Sequence, residues 1–456
     1  MLFMKILRSI YLFLFLSLVS FGDERPNIIF IFADDWGWGD LGCHGHPYVK
    51  TPNIDRLAEE GTDFHRFSVA SGVCSPSRTA VMTGHFPARY SIDGHFAWVP
   101  SNQKRNMPDW LNPQAPLLTK FLQEGGYATA HYGKWHLAND MIPDSPLPSA
   151  YGIDEYGAFN CAGPQMFVHD DVKMAIPFIE RSHELGKPFF INLWMHEPHT
   201  PFHVDPKLME QFSELPEADA IYAATLFHAD LRIGQLLDAL ERNGLTEDTL
   251  VIFSSDNGPA RGAPGIPLGL TYDTATGLGY GLGAAKGITG GRLEYKGSLM
   301  EGGIGVPFIA RWPGKVPAGV VDKTNIISAV DLLPTFCALA DVPLPVDYRP
   351  DGMSQVPALE GKSTTGREMP LFWRMAKKSR AFAVVHKQWK MVADSELSKF
   401  ELFDLVADPL ESKEISTENQ GVVEELKNLI VEWQKTLPAT PSGPVFSALR
   451  AENVLK

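Results

Sequence analysis

Cysteine is scarce in this chain: Cys43, Cys74, Cys161 and Cys337 are the only four in 456 residues. That is too few for a disulfide scaffold, so burial of apolar side chains has to hold the fold. Positive charge is short as well, with 40 Lys and Arg against 54 Asp and Glu and a formal net charge of −14. A surface of that sign repels polyanions, which excludes a nucleic-acid-coating role. It leaves room for a small anionic substrate, because a few cations focused in one pocket outweigh a distant field. A P-loop, a GxGxxG placed between strand and helix, an internal repeat and low-complexity tracts are all missing. What is there, 44% hydrophobic and 21% charged residues, is the make-up of a globular protein with a large core.

The first 22 residues place Lys5 and Arg8 before an apolar run from Ile10 to Val19, then Ser20 and Gly22 as small residues suited to cleavage. The run is shorter than the roughly 20 residues a spanning helix needs. It therefore predicts a signal peptide over 1–22 rather than a stable membrane anchor, and export to a periplasmic or secreted location.

Five apolar, β-rich runs follow, NIIFIFA (27–33), YATAHYG (127–133), PFFINLWM (188–195), TLVIFSS (249–255) and VPFIARW (306–312). Helical patterns separate them, from Asn53 to Glu60, Pro116 to Glu124, Asp170 to Leu185, Ala218 to Arg242 and Ala329 to Ala340. Near-continuous apolar strands alternating with helices predict an α/β fold with a mostly parallel sheet buried on both faces. Beyond about residue 365 the texture becomes short alternating runs and then the amphipathic GVVEELKNLIVEWQKTL (421–437). The expectation is a first domain over 23–365 and a C-terminal α+β subdomain over 366–456, the latter a small antiparallel sheet with a closing helix. The glycine-rich stretch from Gly258 to Arg292 shows no clear helix or strand and reads as a long functional loop.

In open α/β sheets ligands sit beyond the carboxyl ends of the strands, and the polar motifs collect there. NIIFIFA ends in Asp34-Asp35, and TLVIFSS ends in Asp256-Asn257. Either pair alone reads as turn and cap residues; the two together reverse that. Two strands delivering hard oxygens to one edge form a divalent-ion site favouring Ca²⁺ or Mg²⁺ over Zn²⁺. Cys74 precedes Ser-Pro-Ser-Arg78 and an apolar helical pattern, which sets it near a helix N-terminus that attracts anions, with Arg78 one turn on. Lys134 and His136 follow the second strand, His196 and His199 the third, and Lys296 lies in EYKGSLMEGG. Pro198 disfavours the helix that a zinc-binding His pair would use. Trp36, Trp38, Trp98, Trp135 and Trp194 lie close to these motifs and read as core or as platforms for sugar rings.

The run CSPSRTAVMTG, in the company of PNIIFIFADDWGWGDLGCHGHP, GKWHL, HEPHTP, SDNG and KGSLMEGGIGVPFIARWPG, resembles the type I sulfatases, arylsulfatase A and N-acetylgalactosamine-6-sulfatase types above all. The resemblance covers nearly the whole mature chain. It implies an alkaline-phosphatase-like α/β domain with a small C-terminal domain, and a maturing enzyme, formylglycine-generating or anaerobic, that oxidises Cys74 to formylglycine. It further implies Asp34, Asp35, Asp256 and Asn257, with residue 74, as ligands of Ca²⁺. Arg78 and Lys134 would hold the nucleophile, His136 would assist sulfate elimination, and His199 with Lys296 would face the bridging oxygen and the sulfate. His196 has no transferable role beyond substrate contact. The expected substrates are sulfated carbohydrates or aryl sulfate esters. A phosphonate or phosphodiester hydrolase of the same superfamily and a non-catalytic glycan binder are the alternatives.

Overall fold

NIIFIFA forms the strand Asn27–Ala33 with every residue buried. Ile28, Phe30 and Phe32 enter one hydrophobic cluster, while Ile29, Ile31 and Ala33 enter another on the opposite side. A strand has period two, so a run apolar at every position is stable only where both faces are covered. In the computed structural model it lies inside a sheet of order Val320–Asp322, Thr62–Phe64, Phe308–Arg311, Thr249–Ser255, Asn27–Ala33, Phe189–Trp194, Ala128–Lys134, Glu155–Phe159. Residues 25–450 are described, apart from 263–264, 364–366 and 377–378, and the leader expected over 1–22 lies outside them. Among the described residues no helix is long and apolar enough to cross a membrane.

Only Phe308–Arg311 runs against the other seven strands. Those seven therefore deliver their carboxyl ends to one edge. Helices Pro52–Glu59, Asp171–Glu184 and Glu217–Arg242 cover one face; Cys74–Thr83, Leu118–Glu124 and Leu332–Leu339 cover the other. This is the expected mostly parallel α/β sandwich, with four differences. VPFIARW pairs antiparallel, the helix expected from Ala329 opens as a 3₁₀ turn, and the short strands Thr62–Phe64 and Glu155–Phe159 carry too few apolar positions to stand out in the sequence.

The fourth difference is the glycine-rich stretch, which is not a bare loop. It folds into the hairpin Leu270–Asp273 with Gly277–Tyr280, and Phe202 pairs with Tyr280 to dock it on the segment after His199. A Cβ at Gly279 would lie 2.7 Å from the Phe202 carbonyl oxygen, so glycine there permits the approach. The many glycines hide the alternation that marks a strand.

Four strands, Leu371–Arg374, Phe382–His386, Trp389–Ala393 and Phe400–Asp404, form the small antiparallel sheet. Helix Gln420–Lys435 closes it with Val423, Leu426, Ile430 and Trp433, and Trp433 stacks on Phe372 at 4.8 Å. This sheet grips the segment that carries Lys296. Lys390, fully buried, meets Glu301 at 2.8 Å and Glu411 at 2.7 Å, while Arg380 pairs with Glu294 and, at 2.8 Å, with Glu401. Removing the shared cation leaves two buried carboxylates facing each other. Lys390→Ala should lower the unfolding free energy by about 3–5 kcal/mol, read by denaturant titration; a change near zero would show that Lys390 does not hold the two parts together.

Candidate active site

The sheet edge gathers nine of the residues named from the sequence into one buried cluster. Asp34 and Asp35 continue the central strand, and Asp35 takes φ 70°, a left-handed conformation that a non-glycine residue holds only when its surroundings enforce it. Asp256 and Asn257 continue the neighbouring strand; Asp256 accepts from the Asp35 amide at 3.3 Å, and Asn257 Nδ2 donates to Asp35 Oδ1 at 2.7 Å. Cys74 opens the helix Cys74–Thr83, as its Ser-Pro-Ser sequence predicts, and its Sγ lies 3.4 Å from Asp34 Oδ1. Lys134 ends its strand with Nζ on Asp34 and 3.6 Å from Cys74 Sγ. The preceding Gly133, at φ 112°, lies so close to the next strand that a Cβ would sit 1.9 Å from the Trp194 carbonyl oxygen.

Arg78 is fully buried and binds Asp256 Oδ2 through Nε at 3.0 Å and Nη2 at 2.6 Å, with Nη1 on the Lys134 carbonyl. It thus braces the acids and the Lys134 backbone rather than Sγ. Lys296 Nζ lies 2.7 Å from Asp35 Oδ2, and His199 Nε2 lies 4.0 Å from the same oxygen. His136 and His196 stand at the rim of this group. Their Nε2 atoms face carbonyl oxygens, of Phe96 at 3.0 Å and of Pro201 at 2.9 Å, so each donates there. Each Nδ1 is buried without a partner, an unused acceptor.

The electrostatics follow from burial. Asp256 is pushed up to about 6 by burial and by the charge of Asp34, and burial raises Asp35 too. Burial opposes the charge of Lys296, but Asp35 beside it more than compensates and its pKa rises. Burial keeps His199 and His136 neutral. Burial and the neighbouring Asp256 and Asp34 drive the Cys74 thiol far above its ordinary range, so an unaltered cysteine there is protonated and a poor nucleophile. Ligand atoms of Asp34, Asp35, Cys74 and His199 all lie within 4.8 Å of one another. The donors of the four strand-end residues are hard oxygens, and the buried Asn257 Oδ1 lacks a partner, so the set fits a divalent cation such as Ca²⁺.

Sequence reasoning missed the support beneath this cluster. Arg232 spans Glu197 at 2.7 Å and Asp171 at 3.1 Å, and the Glu197 carbonyl accepts from the Asp34 amide at 3.2 Å. The available signal was an arginine among the apolar Ala229, Ile233 and Leu236 of the helix Glu217–Arg242. Of the tryptophans, Trp36, Trp135 and Trp194 are fully buried and cannot stack on sugar; Trp194 lies under Arg78 at 5.0 Å. Trp98 alone of the five is largely exposed.

A family model described as Sulfatase matches residues 26–342, and a second, described as N-sulphoglucosamine sulphohydrolase, C-terminal, matches residues 292–436. The chain belongs to the sulfatase family. Dog N-acetylgalactosamine-6-sulfatase is 32% identical over 390 residues, 77% of this chain and 68% of that protein. This sulfatase also shares its alkaline-phosphatase-like fold with Ps i-CgsB, solved in complex with k-i-k-neocarrahexaose, at 27% identity and a TM-score of 0.76, covering 94% of this chain and 96% of the other. A phosphonate monoester hydrolase of Agrobacterium radiobacter has the same fold at 22% identity and a TM-score of 0.63, covering 90% and 96%. Family membership makes the sulfatase a sulfuric ester hydrolase.

Proposed function

We propose that this sulfatase is exported and hydrolyses sulfate monoesters of carbohydrates, with Cys74 matured to formylglycine by a separate enzyme and Ca²⁺ held by Asp34, Asp35, Asp256 and Asn257, residue 74 adding a ligand. The observation that carries this reading is the Cys74 thiol, enclosed between Lys134 and Asp34 and kept protonated by burial and acidic neighbours. Such a thiol is inert as it stands, so the position makes sense as a precursor. Formylglycine would supply a hydrated aldehyde, whose two hydroxyls on one carbon allow one to attack sulfur and the other, once deprotonated, to expel sulfate. Bound calcium would supply positive charge toward the sulfuryl oxygens. The sugar preference rests on the relatives, among them a galactosamine sulfatase and a structure holding a carrahexaose.

The protein's own residues divide the remaining work. Lys134 neutralises charge at residue 74, and Arg78 fixes Asp256 and the Lys134 backbone, so the nucleophile and the acids keep their spacing. His136, donating through Nε2 to Phe96, leaves Nδ1 free to take the proton whose loss releases sulfate. His199 donates through Nδ1 to the Thr200 carbonyl at 2.5 Å, which aims Nε2 toward the Asp35 and Lys296 side of the site. An anionic ester arriving there offsets the burial that keeps this imidazole neutral, so it can carry a proton to the departing alcohol oxygen. Lys296 faces the sulfate, and His196 offers its free Nδ1 to the sugar.

Two experiments test the reading. Enzyme co-produced with a maturing enzyme should release sulfate from sulfated mono- or disaccharides, whereas Cys74→Ser, with one hydroxyl, should manage at most one turnover per molecule; undiminished steady-state turnover would refute the role of residue 74. His199→Ala should cost about 100- to 10,000-fold in kcat/KM on sugar sulfates and much less on nitrophenyl sulfate, whose leaving group needs no acid. Equal losses on both would remove His199 from the proton transfer.

A further inference from the structure

A second group of metal-ligating side chains shares this sheet edge. Strand Thr62–Phe64 runs in the same direction as Thr249–Ser255, since both pair antiparallel with Phe308–Arg311. Its Asp63 carboxylate, nearly buried at 6% side-chain exposure, meets His44 Nε2 at 2.8 Å and His65 Nε2 at 3.0 Å. Ligand atoms of the three residues all fall within 4.8 Å of one another.

His44 Nδ1 lies 2.6 Å from the Trp38 carbonyl oxygen, which only accepts, so Nδ1 carries the proton. Its Nε2 faces a carboxylate oxygen, again only an acceptor. An imidazole between two acceptors needs a hydrogen or a metal ion at Nε2 as well. A ring nitrogen directed at a ligand while the other donates to a backbone carbonyl is the arrangement metal-bound histidines adopt. Asp63 Oδ1 is buried with no hydrogen-bond partner, an unused ligand position in the same carboxylate. Trp38 stacks on His44 at 4.0 Å and meets His65 edge-on at 5.1 Å, and Arg292 lies over Trp38 at 4.3 Å while donating to the His65 carbonyl. Both rings are thereby fixed in orientation.

We propose that His44, Asp63 and His65 bind a first-row divalent transition ion of the zinc class, separate from the oxygen-only site at Asp34. Two imidazoles and one carboxylate suit such an ion and leave a position for solvent on the exposed side of His65, whereas calcium prefers all-oxygen ligation. At His44 the ion takes the place of the Nε2 hydrogen, which leaves to solvent while Nδ1 keeps its own; at His65 the Nε2 hydrogen leaves or moves to Nδ1, so that each ring binds as a neutral imidazole. The ion ties the segment from Trp38 to His44, which follows directly from Asp34-Asp35, to the strand bearing Asp63.

The test is calorimetric titration of Zn²⁺ into the full, calcium-saturated protein and into His65→Gln. His65 is part-exposed and, among the described residues, its ring hydrogen-bonds Asp63 alone, so this variant should melt like the wild type in chelator. Wild type should bind one more Zn²⁺ than His65→Gln does, or bind it at least about 100-fold more tightly, since even outer-shell losses cost 10–100-fold. Co²⁺ should give visible absorption bands that the variant lacks. His44→Gln should behave alike; if it unfolds, His65→Gln alone decides. Zinc isotherms and cobalt spectra identical in wild type and His65→Gln, or zinc binding by neither, would overturn the proposal.

Discussion

Three carboxylates, Asp34, Asp35 and Asp256, face three cations, Arg78, Lys134 and Lys296, in a region where most of these side chains are shut off from water. Taking so many charges out of water is costly, and the cluster persists only because each sign compensates the other. The balance has a functional consequence. With three acids matched by three bases, these six side chains carry no surplus positive charge for an anionic ester; a divalent cation held among the acids, as proposed, would shift the local sum by two and leave the lysines to face substrate. Within the cluster, burial first and the charge of Asp34 second push Asp256 up to about 6.

That cluster dictates much of the surrounding architecture. Its acids and Lys134 come from neighbouring ends of parallel strands, with Arg78 from the helix Cys74–Thr83, so the strand directions of the main sheet are a condition of the site and not merely of the core. Lys296 comes from outside the sheet, on a segment held by Lys390 and Arg380 of the small antiparallel sheet. The match to the C-terminal family model begins at residue 292, before that lysine, which agrees with the packing. Below, Arg232 joins the turn bearing His196 and His199 to the long helix Glu217–Arg242.

The main strands and the acidic strand ends were legible because both use strong, short-range signals, as in the six apolar residues Ile28 to Ala33 followed by Asp34-Asp35. The CSPSR run placed Cys74 at a helix start, where it is found. The hairpin in the glycine-rich stretch was not legible, because glycine removes the side-chain alternation while permitting the close contact with Phe202. Trp36, Trp135 and Trp194 take the core reading of the two the sequence left open, because proximity to a motif in sequence does not decide which side of the sheet a ring faces. Arg78 was expected on the nucleophile and is found on Asp256, a distinction of reach that only the packing around Phe32 and Trp194 decides.

The charge balance can be measured directly. Calorimetric binding of inorganic sulfate to the enzyme, with calcium saturating and then after chelation, asks whether the pocket acquires its surplus positive charge from the ion. The account predicts that sulfate binds with calcium present and that its affinity falls sharply once the ion is removed. Sulfate bound equally well by the chelated protein would contradict it.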